Sequence, residues 1–429
     1  MKLLLQKPPA CCARQGMTLI EMLVATTMTL IIMGVIAQLF GFVGNGVSAS
    51  RAALEMSAQL RAVSHALRTD LAGITVETLP PVRIESDSGY LEIIEGTDTD
   101  TGTLTAPGSR LTGLNGDCDD VLMFTAARIG KPFVGLFGGT GSVIESPYAE
   151  IAWFCVQATN QPISGTTLYN LHRRQLLVMN YVGDGGGVFH GANSNSITTQ
   201  LPGAYASYDL SLRRDASVNR TFPNGLSDLT KRENRFLHNN SGAVSVGAFP
   251  YEATLLTSLA NNGPLAGTRV GEDIVLANVV GFDVRVYDPT AEVRKSITAG
   301  VAVTPGDPGY SSAASFSPAV YGCYVDIGAT AAGTFASGNK DPRSQIIGNI
   351  YDTWSTHYEA NGLDEDSLYG PDQATNGQDD DASGIVDDEQ ETSPPYPFPL
   401  RGIEVRIRVY EPSSRQVRQV TVRHTFVPH

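Results

Sequence analysis

The sequence predicts an α+β protein: a long N-terminal helix, transmembrane in its first half and amphipathic in its second, packed on an antiparallel β-sheet domain with long loop insertions. Three observations lead there. Residues Met17 to Val43 form a 27-residue run whose only charge is Glu21. Leu60, Val63, Leu67, Leu71 and Ile74 then recur at three- and four-residue spacing, the period of a helix with one apolar face. Beyond Pro81 the pattern changes to short alternating runs divided by Gly, Asn, Pro and Ser, the signature of antiparallel strands.

The apolar run is long enough to cross a bilayer, which takes roughly 20 residues of helix. It exceeds the roughly 7–15 apolar residues of a secretory signal, and no small-residue cleavage site follows it at the usual place. Lys2, Lys7 and Arg14 precede it with no acid, so the positive-inside rule keeps residues 1–16 in the cytoplasm and sends the rest across. A carboxylate inside such a span is costly, and Glu21 is therefore expected to have a partner. Gly34, Gly41, Gly44 and Gly46 are expected to weaken the helix at the membrane exit. The amphipathic continuation, residues 44–78, keeps Arg61, Arg68 and Asp70 off its apolar face and stops at Thr78–Val82, where Pro80 and Pro81 follow.

Strands are expected at Asp120–Ala126, Glu150–Gln157, Thr167–Val178, Val279–Tyr287, Gly322–Gly328, Gly402–Tyr410 and Gln416–Phe426. The last two read as a hairpin: Ile403, Val405, Ile407 and Val409 face one way, Glu404, Arg406, Arg408 and Tyr410 the other, and Val420, Val422 and Phe426 return after the turn at Glu411–Ser414. Between Gly183 and Pro250 the chain is rich in Gly, Asn and Ser and reads as loops. The extracytoplasmic domain is thus residues 79–429, carrying an acidic insertion at 359–399.

The net charge is −14, from 30 basic and 44 acidic residues, and it is local. Twelve acids lie between Glu359 and Glu391, and no Lys or Arg occurs between Arg343 and Arg401; remove those twelve charges from −14 and −2 remains. An acidic chain of this kind is not built to bind a phosphate backbone, and no nucleic acid is expected. The concentrated charge points instead to a cation site or a solvated loop. Within it Asp379, Asp381, Ser383 and Asp387 fall at positions one, three, five and nine of a calcium loop, Gly384 stands at the sixth, and Ile385 would add its backbone carbonyl. The twelfth position is Gln390, so Glu389 or Glu391 would supply the bidentate carboxylate. Asp364, Glu365, Asp366 and Asn376 are available for a second site. The expected ion is Ca²⁺.

Cys11, Cys12, Cys118, Cys155 and Cys323 make no CxxC pair and have no His at metal-ligand spacing. If the N-terminus is removed, three remain: at most one disulfide, or three buried thiols. No P-loop, GxSxG elbow or HExxH occurs, and the seven histidines are scattered, so an enzyme is not expected.

Arg14-Gln-Gly-Met-Thr-Leu-Ile-Glu21, followed by the apolar run, resembles the signal of type IV prepilins and type II secretion pseudopilins. The resemblance implies cleavage after Gly16 by a membrane prepilin peptidase and N-methylation of Met17, which stands where the commoner residue is Phe. Glu21 becomes the fifth mature residue and would pair with the N-terminal ammonium of a neighbouring subunit. The runs Asp120-Val-Leu-Met-Phe, Ala149-Glu-Ile-Ala-Trp-Phe-Cys, Leu168-Tyr-Asn-Leu-His-Arg-Arg and Leu400-Arg-Gly-Ile-Glu-Val-Arg-Ile are similar to strands of J-type minor pseudopilins and W-type minor pilins. The implied function is that of a tip subunit of a secretion pseudopilus, seated in the inner membrane with its sheet domain in the periplasm, its partners being other pseudopilins or pilins and a secreted substrate. A W-type minor pilin of a type IV pilus, and a calcium-dependent binding or adhesion module exported by a prepilin signal, are the alternatives.

Overall fold

The computed structural model describes residues 17–76, 88–96, 116–137, 142–161, 166–179, 205, 208–215, 220–231, 234–238, 253–296, 301–307, 309–327, 350–354, 377–378, 384, 386, 400–412 and 414–426. The chain divides into two units that part between Glu55 and Met56. The first is the leading part of α1 (Leu19–Leu71), which is helical without a break through Gly34, Gly41, Gly44 and Gly46. Its large apolar side chains, among them Leu19, Ile31, Phe40 and Phe42, are exposed. By length and composition this helix suffices to cross a membrane.

Among its described residues the second unit holds the end of α1 and fourteen strands. These are β1 (Leu91–Ile94), β2 (Val121–Ala127), β3 (Phe133–Phe137), β4 (Ser142–Ser146), β5 (Tyr148–Gln157), β6 (Tyr169–Val178), β7 (Leu212–Asp215), β8 (Arg220–Pro223), β9 (Ile274–Lys295), β10 (Ala302–Val303), β11 (Ala314–Val325), β12 (Ile350–Asp352), β13 (Gly402–Glu411) and β14 (Gln416–Thr425). A short helix, α2 (Ala253–Asn262), precedes β9. Ten strands form one antiparallel sheet in the order β12-β1-β2-β5-β6-β9-β13-β14, with β10 and β11 also on β9; β3-β4 and β7-β8 are separate hairpins. The sheet curls. The segment entering β2 meets β9, with Gly116 N–H on the Val280 carbonyl and Phe282 N–H on the Asp117 carbonyl, although β5 and β6 stand between those strands in the pairing order.

Alternation makes one face of this sheet apolar. Ile403, Val405 and Ile407 of β13, Phe282, Val284 and Val286 of β9, and Ile151 and Trp153 of β5 are fully buried. Met56, Leu60, Val63, Leu67 and Leu71 of α1 join the same core at the predicted helical spacing. The β13-β14 hairpin forms in the expected way, with Val405 opposite Val422 and Ile407 opposite Val420.

Several expectations are corrected. The helix stops at Leu71 and not near residue 78, because Gly73 brings the backbone against β2: Ala127 N–H bonds the Gly73 carbonyl at 2.7 Å, and a Cβ at Gly73 would stand 2.6 Å from the Ala127 oxygen. Ile74 consequently bridges to Ala126 instead of ending a helical face. Asp70 is not on the solvent side. Its carboxylate is completely buried, held by Arg173 at 2.6 and 2.8 Å and Arg128 at 3.2 Å. The stretch 183–250 contains β7 and β8 and sends Leu210, Leu212, Leu229 and Phe236 into the core, where loops alone were expected. Four-residue strands are too short for their period to stand out. β9 runs beyond Val279–Tyr287 at both ends and β11 starts at Ala314 and not at Gly322; the later part of β9 pairs with the first part of β11 at half-buried and exposed positions, which demand no apolar alternation.

The Asp70 contacts generate a prediction. Asp70→Asn removes the charge that holds two arginines, themselves 35% and 16% exposed, against the end of α1, and loss of such charge-assisted bonds costs about 1.5–3 kcal/mol. Urea unfolding of the variant should show a midpoint lowered accordingly with an unchanged slope.

Candidate functional site

Among the described residues two places are candidate sites, the start of α1 and a buried acidic cluster at one end of the sheet. Gly16 lies outside the described residues. Met17 is 65% exposed, and Thr18 precedes the helix as its cap. Thr18 N–H and Oγ–H both donate to Glu21 Oε2, at 2.9 and 3.0 Å, while Glu21 N–H donates to Thr18 Oγ1 at 3.3 Å. This reciprocal arrangement is a capping box, which satisfies backbone donors left open by the first helical turn. Glu21 therefore has a partner within its own chain. Both bonds fall on Oε2, and Oε1 accepts none from the described residues. Thr18-Leu-Ile-Glu21 carries the S/T-x-x-E spacing, so the box was legible in the sequence and was missed because Glu21 was weighed only for its charge.

The calcium-loop residues Asp379, Asp381, Ser383, Ile385, Asp387, Glu389 and Glu391 all lie outside the described residues, as do Asp364, Glu365, Asp366 and Asn376. Of the residues named for the loop only Gly384 is described, with φ of +87°, a conformation that glycine adopts without strain.

The described residues gather a different set of acids. Glu95 follows β1; Asp117 and Asp120 precede β2; all three are buried, and one carboxylate oxygen from each lies within 4.8 Å of the others. Asp120 Oδ2 accepts Val284 N–H at 2.6 Å and its Oδ1 accepts Gly96 N–H at 3.3 Å. Glu95 Oε2 accepts Ile327 N–H at 3.3 Å. Beside the triad, Arg285 of β9 is fully buried and binds Asp326 at 2.8 Å, Asp307 at 2.9 Å and Asp283 at 3.1 Å. Thus β1, the run entering β2, β9 and the end of β11 all bring acids to one end of the sheet. Gly96 permits the crowding, since a Cβ there would fall 1.9 Å from the Asp119 carboxyl carbon.

Burial, and then the charges of Asp120, Asp326, Asp117 and Asp283, push the Glu95 carboxyl well above the usual range. Burial and the neighbouring acids push Asp117 and Asp120 up as well, although the bond from Val284 N–H pulls Asp120 the other way. Such a group of carboxyls has two stable states: protons held on it, or a divalent cation held between its members. The all-oxygen donor set suits Ca²⁺, Mg²⁺ or Mn²⁺ and not zinc. The spacing fits too, because oxygens around a Ca²⁺ at about 2.3–2.6 Å are at most about 5 Å apart. These residues were not among the predicted ligands. Asp117-Cys-Asp-Asp120 directly ahead of an apolar strand was the available signal, but the convergence with Glu95 depends on strand pairing that spacing does not reveal.

Compared with known protein families, with characterised proteins and with solved structures, the chain shows no match.

The acidic triad predicts an unusual pH response. Its folded carboxyls have raised pKa values, so the native state holds protons that the unfolded chain has already released. Their contribution is fully present below the ordinary carboxylate pKa of about 4 and is lost as pH rises toward the folded values. In chelator the melting temperature should therefore fall between about pH 5 and about pH 8. If the triad binds a divalent cation, a hundredfold excess over Kd should raise it by about 3–5 °C at the upper end. Glu95→Gln with Asp117→Asn should flatten the pH slope and abolish the response to cation.

Proposed function

We propose that this protein is a minor pseudopilin, a membrane-inserted subunit that is assembled and not an enzyme, placed near the tip of a type II secretion pseudopilus. The observation that carries the reading is Arg14-Gln-Gly-Met-Thr-Leu-Ile-Glu21 standing directly ahead of a helix whose apolar side chains are exposed from Leu19 to Val43. Exposed apolar surface of that length needs cover, and a bilayer or the equivalent helices of other subunits provides it. The basic leader holds residues 1–16 in the cytoplasm, cleavage after Gly16 frees the amine of Met17, and the sheet domain lies in the periplasm.

The chemistry of assembly follows from the capped helix start. Glu21 Oε2 is engaged by Thr18, which fixes the carboxylate near the helix end, while Oε1 is available to the ammonium of an adjacent subunit's N-terminus. A charge pair of this kind forms in lipid only when both members arrive together, so it registers one subunit against the next. The sheet domain meets the other pseudopilins and the secreted substrate. Calcium at Asp379, Asp381, Ser383, Ile385, Asp387 and Glu389 or Glu391 belongs to the same proposal, as an ion that orders the acidic insertion ahead of β13.

Two experiments test the reading. The intact mass and N-terminal sequence of the membrane-extracted protein, with and without prepilin peptidase, should show a chain beginning at N-methylated Met17 only when the peptidase is present; a chain that begins at Met1 in both overturns the proposal. Glu21→Gln preserves the S/T-x-x-E/Q cap but removes the charge. We expect it to lower incorporation into the fibre by roughly tenfold or more, as Glu21→Ala should, whereas a glutamate that serves only as a cap would leave Glu21→Gln assembling normally.

A further inference from the structure

The cysteines are unused by the function proposed above. Cys118 is 2% exposed, in the run that enters β2, and Cys155 lies partly buried near the end of β5 at the margin of the same core. Backbone pairing fixes both positions. Val121 opens β2 opposite Phe154, so Cys155 is the first β5 residue past that ladder, with Leu171 of β6 on its other side. The run ahead of β2 turns away from β5 toward β9, where Gly116 bonds Val280 and Asp117 accepts from Phe282. Cys118 sits at that bend, and its thiol is in hydrogen-bonding contact with the thiol of Cys155. Cys323, on β11, points its sulfur elsewhere, 3.7 Å from the Ala291 carbonyl.

We propose that Cys118 and Cys155 are a disulfide-forming pair, a covalent link between the segment entering β2 and strand β5 that closes once the domain meets an oxidant. Closure in the cell rests on the export proposed above; the pairing itself rests on the thiol contact. The oxidant is a disulfide, either of a thiol–disulfide oxidoreductase or of low molecular weight. Cys155, the more accessible of the two, attacks it as thiolate and releases one thiol; Cys118 then attacks the mixed disulfide and releases the second. Two electrons and the two thiol protons leave the pair, and the oxidant departs as two thiols. Cys118 is buried beside Cys155, so it reacts there and little with outside reagents.

The link encloses the 36 residues between the two cysteines and fixes Asp117 and Asp120, which flank Cys118, relative to β5. Constraint of the unfolded chain by a loop of that size should raise the melting temperature by about 5 °C.

The test uses full-length protein extracted from membranes, alkylated before any reduction and digested with trypsin. After exposure of a reduced sample to oxidised glutathione, the peptides Leu111–Arg128 and Ile129–Arg173 should be found joined, with a mass lower by two hydrogens than their sum, and Cys323 alkylated. Cys118→Ser and Cys155→Ser should each remove the joined species and the gain in melting temperature, without additivity in the double variant. Both cysteines alkylated after oxidation, or a link to Cys323, overturns the pairing. The untreated extract separates this outcome from failure of the export proposal: peptides that are reduced as extracted yet join readily with oxidised glutathione uphold the pair and place the domain in a reducing compartment.

Discussion

A single carboxylate fixes how helix and sheet meet in the larger unit. Asp70 is the penultimate residue of α1, its side chain has no exposure, and it receives Arg173 from β6 through two bonds and Arg128 from beyond β2 through a third. A buried charge of this kind is tolerated only with its partners in place, so the position of α1 over the sheet is specified by polar geometry as well as by the apolar stripe that precedes it. The arginines are themselves positioned: Arg173 lies over the Trp153 ring and bonds Gln175, and Arg128 stacks on Phe133. Three residues later Gly73 brings the backbone onto β2, and the helix can go no further.

The same device recurs where the segment 205–238 meets the sheet. Arg235 is fully buried, pairs with Glu92 at 2.7 Å and Asp352 at 2.8 Å, and lies over the Tyr90 ring. Glu150 of β5 accepts the Tyr90 hydroxyl, the Ser211 hydroxyl and the Phe236 N–H. Leu210, Leu212, Leu229 and Phe236 of this segment enter the core, and charge-assisted bonds to the sheet add directional specificity to that burial. The acidic triad at Glu95, Asp117 and Asp120 differs from these knots, since its strongest neighbours are themselves acids.

How legible was this in the sequence? The apolar run, the amphipathic stretch and the final hairpin were readable because each has a period long enough to see, and the helix contacts of Leu60, Val63, Leu67 and Leu71 follow from spacing alone. β1, β7, β8 and β12, at three to four residues each, were not, because two alternations are no pattern. The partners of charged residues were not legible for a related reason. Asp70, Arg235 and Glu150 look like surface residues until the fold supplies their partners, which lie tens to hundreds of residues away in the chain. Of the candidate site residues, Glu21 was found from its place in an apolar run, whereas the convergence of Glu95 with Asp117 and Asp120 is a product of pairing between β1, β2 and β9.

The strand β9 gives the larger unit a mechanical character. Its 22 residues pair with β6, β13, β11 and β10, so it runs through most of the sheet as a single shared element. Tension drawn along the end of α1 enters the sheet at Arg173 on β6 and passes along the ladder to β9 through the few pairs from Tyr169 to His172, before it spreads to the ten-residue ladder of β13 with β14. That short junction, interrupted by two register shifts, is where a pulled domain would part first, with the hairpin beyond it still intact.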